Sequence, residues 1–256
     1  MEFHHRAIGI LQTPFREKFG VPRQSMMMSE ARGVLKLRPD PSFRVALNHL
    51  DEFSHVWLIF VFDRVAENDW RPTIRPPRVD APRRVGVFAS RSPHRPNPIG
   101  ISAVKLDRVD LDAEGGIEIH LSGVDLLDGT PILDIKPYLP YADIISDATA
   151  GWAEGEIPKY AVTFSEAARA FLENMDAGRT TDHGRDADDF RSAADWQRLI
   201  TQTLEWDPRP TSQRRAMPID KPESEGLAFG LRIQDLEVKW QILDGGILVT
   251  ALLLDS

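Results

Sequence analysis

The sequence predicts a mainly β protein: an antiparallel barrel or sandwich over residues 1–147, then a small α+β domain over residues 148–256. Three observations predict it. Apolar residues alternate with period two through most of the first 146 residues, the signature of half-buried strands. Turn dipeptides, Gly115-Gly116 and Asp128-Gly129, separate the alternating runs. There is no regular strand–helix–strand rhythm and no G-x-G-x-x-G after a strand, which argues against a doubly wound parallel sheet and a dinucleotide fold.

Taken in order, "RAIGILQTPF" reads as a strand broken at Pro14, and "FREKFGVPRQ" as a polar, irregular segment. "GVLKL" at 33–37 alternates like a short strand. In "DPSFRVALNHLDEF", Asp40 is placed as an N-cap and Pro41 at the first helical position, so a short helix follows. "SHVWLIFVF" is an apolar core strand. Residues 71–98 then hold seven Arg and seven Pro, with Asp80 as their acid. Within them "RRVGVFAS" is expected as one short strand centred on Gly86. "IGISAVKLDRVD" at 99–110 and "EGGIEIHLSGVD" form a hairpin, and the Asp128-Gly129 turn leads into a strand ending at Pro137. "DATAGWAEGE" is the linker. "SEAARAFLENM" opens with Ser165 as a helix, "DHGRDADDF" is loop-like, and "DFRSAADWQRLITQTLEW" is a second helix ended by "DPRP". "GLAFGLRIQDLEVKW" and "GILVTALLL" alternate as strands around a turn at Asp244-Gly245-Gly246.

Composition excludes several chemistries. With no cysteine there is no disulfide framework, thiolate nucleophile or zinc–thiolate site. The seven histidines show no H-x-x-x-H or H-E-x-x-H spacing, so no metal is expected. Neither a G-x-x-x-x-G-K-[ST] phosphate loop nor a G-x-S-x-G nucleophile elbow is present. No apolar run reaches the ~20 residues that span a bilayer, and "MEFHHRAIGI" lacks a signal-peptide shape. The expectation is a soluble, cytoplasmic protein with no membrane contact. The net charge is -8, yet ten Lys or Arg against four Asp or Glu lie between Arg64 and Arg108. An acidic body with a basic strip holds an anion at one place and repels it elsewhere.

Four clusters carry chemistry. "FGVPRQ" supplies Pro22, Arg23 and Gln24. "SHVWLIFVFDR" ends a buried strand in Asp63 and Arg64. "RSPHRPNPIG" at 91–100 is a proline-stiffened loop that forms neither helix nor central strand. Its Arg91 and Arg95 offer planar forks for carboxylate or phosphate. Asn97, between two prolines, offers a fixed amide suited to a purine edge. "DLLDGTPILDIKPYLPYAD" supplies Asp125, Asp128, Asp134, Lys136 and Tyr138. This set lacks metal ligands and an activated nucleophile. It suits group transfer from a bound donor, where positioning and electrostatics do most of the work, and it equally suits plain anion binding.

The segments "VPRQ", "FSHVWLIFVFDR", "WRPTIRPPR", "VGVFASRSPHRPNPIGIS", "DLLDGTPILDIKPYLPYAD" and "DPRP" occur here in the order found in the TsaA-like (TrmO) family, which the chain closely resembles from Ile8 to its C-terminal strands. The resemblance implies an antiparallel β-barrel methyltransferase domain, not a Rossmann domain, with a small C-terminal domain. It implies S-adenosylmethionine-dependent methylation of N6 of threonylcarbamoyladenosine at position 37 of threonine tRNA, carried out by a homodimer. Carried over residue by residue, it places the donor on Pro22, Arg23, Gln24, Asp63, Arg64, Arg91, Ile101 and Asp125. Catalysis falls to Asn97, Asp128, Lys136 and Tyr138. The anticodon stem-loop falls to Arg71, Arg75, Arg78 and Arg95. The alternatives are a non-catalytic RNA-binding barrel and a methyltransferase acting on a small molecule. The chain departs from relatives at Asp63, where histidine is common, at Thr211-Ser212, where Ala-Tyr commonly follows "DPRP", and in the acidic stretch 176–190.

Overall fold

The structure, a computed structural model, describes residues 2–66, 69–78, 84–178 and 192–254. Most of the acidic stretch 176–190, the "DHGRDADDF" segment and Asp80 lie outside the described residues. The chain divides into two compact units. One comprises Met1–Pro14 and Pro22–Gly155, the other Phe15–Val21 and Glu156–Ser256.

The first unit is a closed six-stranded barrel. Its strands are β1 (Gly9–Gln12), β2 (Arg32–Leu37), β3 (His55–Val61), β6 (Ile99–Asp110), β7 (Glu118–Ser122) and β8 (Thr130–Pro137), and a two-stranded ribbon of β4 (Thr73–Ile74) and β5 (Val85–Gly86) is inserted between β3 and β6. The order around the wall is β1-β2-β7-β6-β3-β8, every neighbouring pair is antiparallel, and β8 returns to β1 through Gly9↔Ile132 and Leu11↔Thr130. Closure removes the sheet edges that would otherwise pair with another chain. Period-two alternation decides which side chains point inward. In β3, Val56, Leu58 and Phe60 are buried while the residues between them are half-exposed. Leu11, Leu35, Val104, Ile119, Leu121 and Ile132 complete the interior. Gly100 is required there, because a Cβ on it would lie 2.3 Å from the Phe60 ring. The glycine after the proline loop therefore serves packing.

Helix α1 (Phe43–Ala46) starts two residues later than expected, after Ser42. Asp40 does not cap it. Its Oδ1 accepts from the Ser42 N–H at 3.1 Å and the Ser42 hydroxyl at 2.5 Å, so it holds the preceding turn. The expected strand over "RRVGVFAS" also shortens, to Val85–Gly86, and the chain then turns through a 3-10 segment, Val87–Ala89. A short helix α2 (Pro140–Asp143) follows β8.

The second unit is a four-stranded sheet with order β10-β11-β12-β9, built from β9 (Val162–Phe164), β10 (Ala228–Ile233), β11 (Leu236–Leu243) and β12 (Gly246–Leu254). Its helices are α3 (Glu166–Gly178), α4 (Ala193–Leu204) and α5 (Thr211–Ala216). Ser165 begins α3, its hydroxyl accepting from Ala168 N–H, and Ser192 with Asp195 makes a capping box on α4. The stretch read as one strand over 226–240 is a hairpin: Gln234, at φ 52°, turns the chain without a glycine. β9 pairs parallel with β12, a long-range pairing that the sequence did not signal.

Candidate active site at one end of the barrel

Antiparallel connectivity sends alternate loops to opposite ends of the barrel. The loops after β1 (13–31), after β3 (62–98) and after β7 (123–129) all emerge at one end. They hold Pro22, Arg23, Gln24, Asp63, Arg64, Arg91, Asn97, Asp125 and Asp128, residues drawn from all four sequence clusters.

Specific contacts lock these loops together. Met26 N–H donates to the Gly123 carbonyl at 2.9 Å, and the approach is so close that a Cβ on Gly123 would meet the Met26 sulfur at 2.4 Å. Phe62 N–H donates to the Pro98 carbonyl at 2.8 Å, which sets the end of the proline loop beside Asp63. Thr13 N–H donates to Asp128 Oδ1 at 3.0 Å, and Arg64 Nη2 donates to the Asp128 carbonyl at 2.6 Å. His94 accepts Arg71 N–H at its own carbonyl, 3.1 Å, and its ring lies 3.2 Å from the Asp69 carboxylate.

The centre of the cluster is a polar chain across the three loops. Arg91 Nη1 donates to Gln24 Oε1 at 2.5 Å, and Gln24 Nε2 donates to the Arg23 carbonyl at 2.5 Å. Asp125 accepts the Ser102 hydroxyl at 2.6 Å. Burial pushes the Asp125 carboxyl above its ordinary value; the Ser102 hydroxyl, the backbone N–H groups of Asp125 and Ser25, and the charge of Arg91 oppose that rise without cancelling it. A half-desolvated carboxylate with an arginine nearby can hold a cationic group and an anionic group of one ligand side by side. Asn97 is exposed, and its side-chain amide has no hydrogen-bond partner among the described residues.

Other expected site residues lie elsewhere. Ile101 is 52% exposed on the outer barrel wall opposite Ile59, while its neighbour Ser102 points inward beside Asp125. One-residue alternation thus sets Ser102 beside Asp125 and Ile101 on the outer face of the same strand. Ser102 was legible in retrospect, as the lone hydroxyl between Gly100 and Val104 on an inward face. Lys136 and Tyr138 lie toward the opposite end. Tyr138 N–H donates to the His55 carbonyl at the start of β3, whereas Asp63 follows its finish. An eight-residue strand spans roughly 26 Å, so Tyr138 does not meet Asn97 or Asp128 within one chain. Lys136 pairs with Asp134 at 3.0 Å, and the Tyr138 ring packs 5.5 Å from Trp57.

Two of the four expected RNA-contacting arginines are committed to the backbone. Arg78 donates to the carbonyls of Ala153 at 2.5 Å and Glu154 at 2.9 Å, and Arg95 donates to that of Ser90 at 2.8 Å. Arg71 pairs with Asp69 at 3.2 Å, and Arg75 is exposed. In the second unit, Asp207 and Arg209 of "DPRP" form a buried bidentate pair, both contacts 2.7 Å, at 3% and 4% exposure. Thr211 and Ser212 open α5, where Arg214 Nη2 donates to the Thr211 hydroxyl at 3.1 Å. Among the described residues no group of three or more His, Asp or Glu side chains could hold a metal ion. No described helix is long and apolar enough to cross a membrane.

Comparison with known proteins gives this geometry a lineage. Residues 10–144 match the tRNA-methyltransferase O N-terminal domain and residues 157–254 the TrmO C-terminal domain. The chain is 36% identical over 251 residues to the tRNA (adenine(37)-N6)-methyltransferase of Escherichia coli (strain K12), covering 98% of this chain and 97% of that protein. It is 43% identical over 233 residues to a putative S-adenosylmethionine-dependent methyltransferase, RcsF, of Pseudomonas aeruginosa, covering 91% and 90%. The crystal structure of TrmO from Pseudomonas aeruginosa superposes with a TM-score of 0.72 at 37% identity, over 99% of this chain and 100% of that one. Both halves of the sequence and the whole of the fold agree, and the chain belongs to the tRNA-methyltransferase O family.

Proposed function

We propose that this chain transfers a methyl group from S-adenosylmethionine to N6 of adenosine 37 in tRNA, and that its acceptor is the threonylcarbamoyl-bearing adenosine of threonine tRNA. The observation that carries the reading is the cluster of Gln24, Arg91, Ser102 and Asp125, gathered from separate elements at one barrel end. These residues fit the donor. S-adenosylmethionine carries cationic groups, a carboxylate and an adenosine, and supplies an electrophilic methyl group. Asp125, whose burial already disfavours its lone charge, gains from a neighbouring cation. Arg91 matches a carboxylate, and Gln24 holds Arg91 in place while offering its own amide. The family's names support the same cofactor: relatives are described as S-adenosylmethionine-dependent methyltransferases.

The acceptor nitrogen is of urea type and a weak nucleophile while protonated, so it needs a hydrogen-bond acceptor as the methyl arrives. Asn97 and Asp128 share the barrel end with the donor cluster, and Lys136 and Tyr138 do not. We therefore assign positioning of the base to Asn97 and proton acceptance to Asp128. A base in a single-stranded loop is splayed into such a site at low cost. The proposed assembly is a homodimer in the cytoplasm. An aliphatic strip of Ile59, Ile99 and Ile101 on the outer wall, the last two 41% and 52% exposed, supports a second copy as its cover.

The test is incubation with methyl-labelled S-adenosylmethionine and threonine tRNA, with and without its threonylcarbamoyl group, followed by nucleoside mass spectrometry. A methylated nucleoside from the modified tRNA alone is the expected result. Donor binding without product points to a different acceptor. Absence of both overturns the enzyme reading in favour of an RNA-binding barrel.

A further inference from the structure

The ribbon that leads into the proline loop carries two large aromatic rings in solvent. Phe88 is 77% exposed and Trp70 is 48% exposed. Neither belongs to the donor cluster. Both flank the same short ribbon, in which Thr73 faces Gly86 and Val87 N–H donates to the Pro72 carbonyl at 3.0 Å.

The platform is rigid where it matters. Phe88 sits in the 3-10 segment next to Val87, which is 2% exposed. The Ser90 hydroxyl caps the Val87 carbonyl at 2.8 Å, and Trp152 Nε1 holds the Ala89 carbonyl at 2.8 Å. Arg95, fixed by the Ser90 carbonyl, lies over the Phe88 ring at 5.9 Å from its centroid. The ring is therefore backed by a cation, anchored on both sides in sequence, and open to solvent. Arg91 of the donor cluster follows three residues later.

Charge selects the occupant. Among the described residues from 69 to 95, Asp69 is the one acid, against Arg71, Arg75, Arg78, Arg84, Arg91 and Arg95. Arg78, Arg84 and Arg95 are held by backbone carbonyls, Arg71 by Asp69 and Arg91 by Gln24, whereas Arg75 is exposed and suits a phosphate. Aromatic rings alternating with arginines bind single-stranded nucleic acid by stacking bases and tracking the backbone. We propose that Phe88 is the stacking platform for a nucleobase of the RNA substrate next to the methylated adenosine. Trp70 extends the platform, and Arg75 contacts an adjoining phosphate. This rests on the tRNA reading above.

The test uses the full chain with Phe88→Leu, which keeps apolar bulk, and Phe88→Trp, which keeps a ring. RNA affinity is read by anisotropy with a threonylcarbamoylated anticodon stem-loop, donor affinity by calorimetry with S-adenosylmethionine, and assembly by sedimentation. Phe88→Leu is expected to raise the RNA Kd about ten- to hundredfold, and Phe88→Trp to stay near the parent, with donor Kd and sedimentation unchanged in both. Arg75→Gln is expected to lower the slope of log Kd against log salt by about one, and Phe88→Leu to leave it unchanged. An unchanged RNA Kd in Phe88→Leu overturns the platform. A lost donor affinity reassigns the ring to the donor, and altered sedimentation reassigns it to a subunit contact; either overturns the proposal. If the parent protein itself fails to bind the stem-loop, the tRNA reading falls and the platform with it; if the parent binds and Phe88→Leu binds equally, the platform alone falls.

Discussion

The loop 91–100 and the tetrapeptide 207–210 both join arginine to proline, yet the structure uses them in opposite ways. In the first unit Arg91 and Asn97 are exposed, and the prolines hold them out from the barrel end. In the second unit Asp207, at φ 50°, folds back so that Arg209 reaches it with two hydrogen bonds, and both are buried. The Arg209 guanidinium also lies 5.2 Å from the centroid of Phe229, which stacks on Trp240. What separates the two is a partner within reach: an arginine two residues from an aspartate in a turn is satisfied internally, and one without such a partner remains available to a ligand. Arg95 shows the same rule inside the displayed loop, since backbone carbonyls absorb it while Arg91 remains beside Gln24 and Asp125.

The largest effect that tests this contrast is on stability. Arg209→Ala removes two hydrogen bonds from a buried carboxylate, so denaturant unfolding of the second unit is expected to lose about 3–5 kcal/mol. Donor affinity is expected to persist wherever the protein remains folded. A loss of well under 1 kcal/mol would mean that Arg209 is no more structural than Arg91. Arg91→Ala should do the reverse. Its stability change is expected within ~0.5 kcal/mol, as for exposed positions, while donor Kd by calorimetry rises about tenfold or more, the loss of a charge-assisted contact. An unchanged donor Kd would remove Arg91 from the site.

The smallest effect concerns Asp125. Its carboxyl is raised in the folded protein above 3.8, so between that value and the raised one the folded state keeps a proton the unfolded state has lost. The stability this contributes is present at lower pH and is lost as pH rises through the folded value. Asp125→Asn mimics the protonated group. It is expected to raise the melting temperature at pH 7 by a few degrees, to change it little near pH 3, and to weaken donor binding. A lower melting temperature at pH 7 would show that the carboxylate is stabilised, contrary to the burial argument.

Much of the barrel was legible because local rules and tertiary packing agree. Alternation over 99–110 became β6 over those same residues, the Gly115-Gly116 turn joined β6 to β7, and the absence of strand–helix rhythm matched an all-antiparallel wall. Where a residue without the usual chemistry made the turn, as at Gln234, a strand was read as too long. The family motifs marked the right loops, yet motif membership treats a strand's two faces alike. It named Ile101 and passed over Ser102, and the alternation that reverses direction at every residue set the Ser102 hydroxyl on Asp125.

By itself the sequence determined the period-two strands, the stiff proline loop, the excess of arginine over acid between 64 and 108, and the motifs that identify the family. Each is a property of neighbouring residues or of residue order. Only the tertiary structure decided that the sheet closes, that the loops after β1, β3 and β7 meet while Lys136 and Tyr138 lie toward the other end, that Asp125 is half-buried against Ser102 while Phe88 is exposed, and that Arg209 is taken up by Asp207. Those outcomes depend on which end of an antiparallel strand a residue occupies and on what packs beside it, and both are settled by long-range pairing.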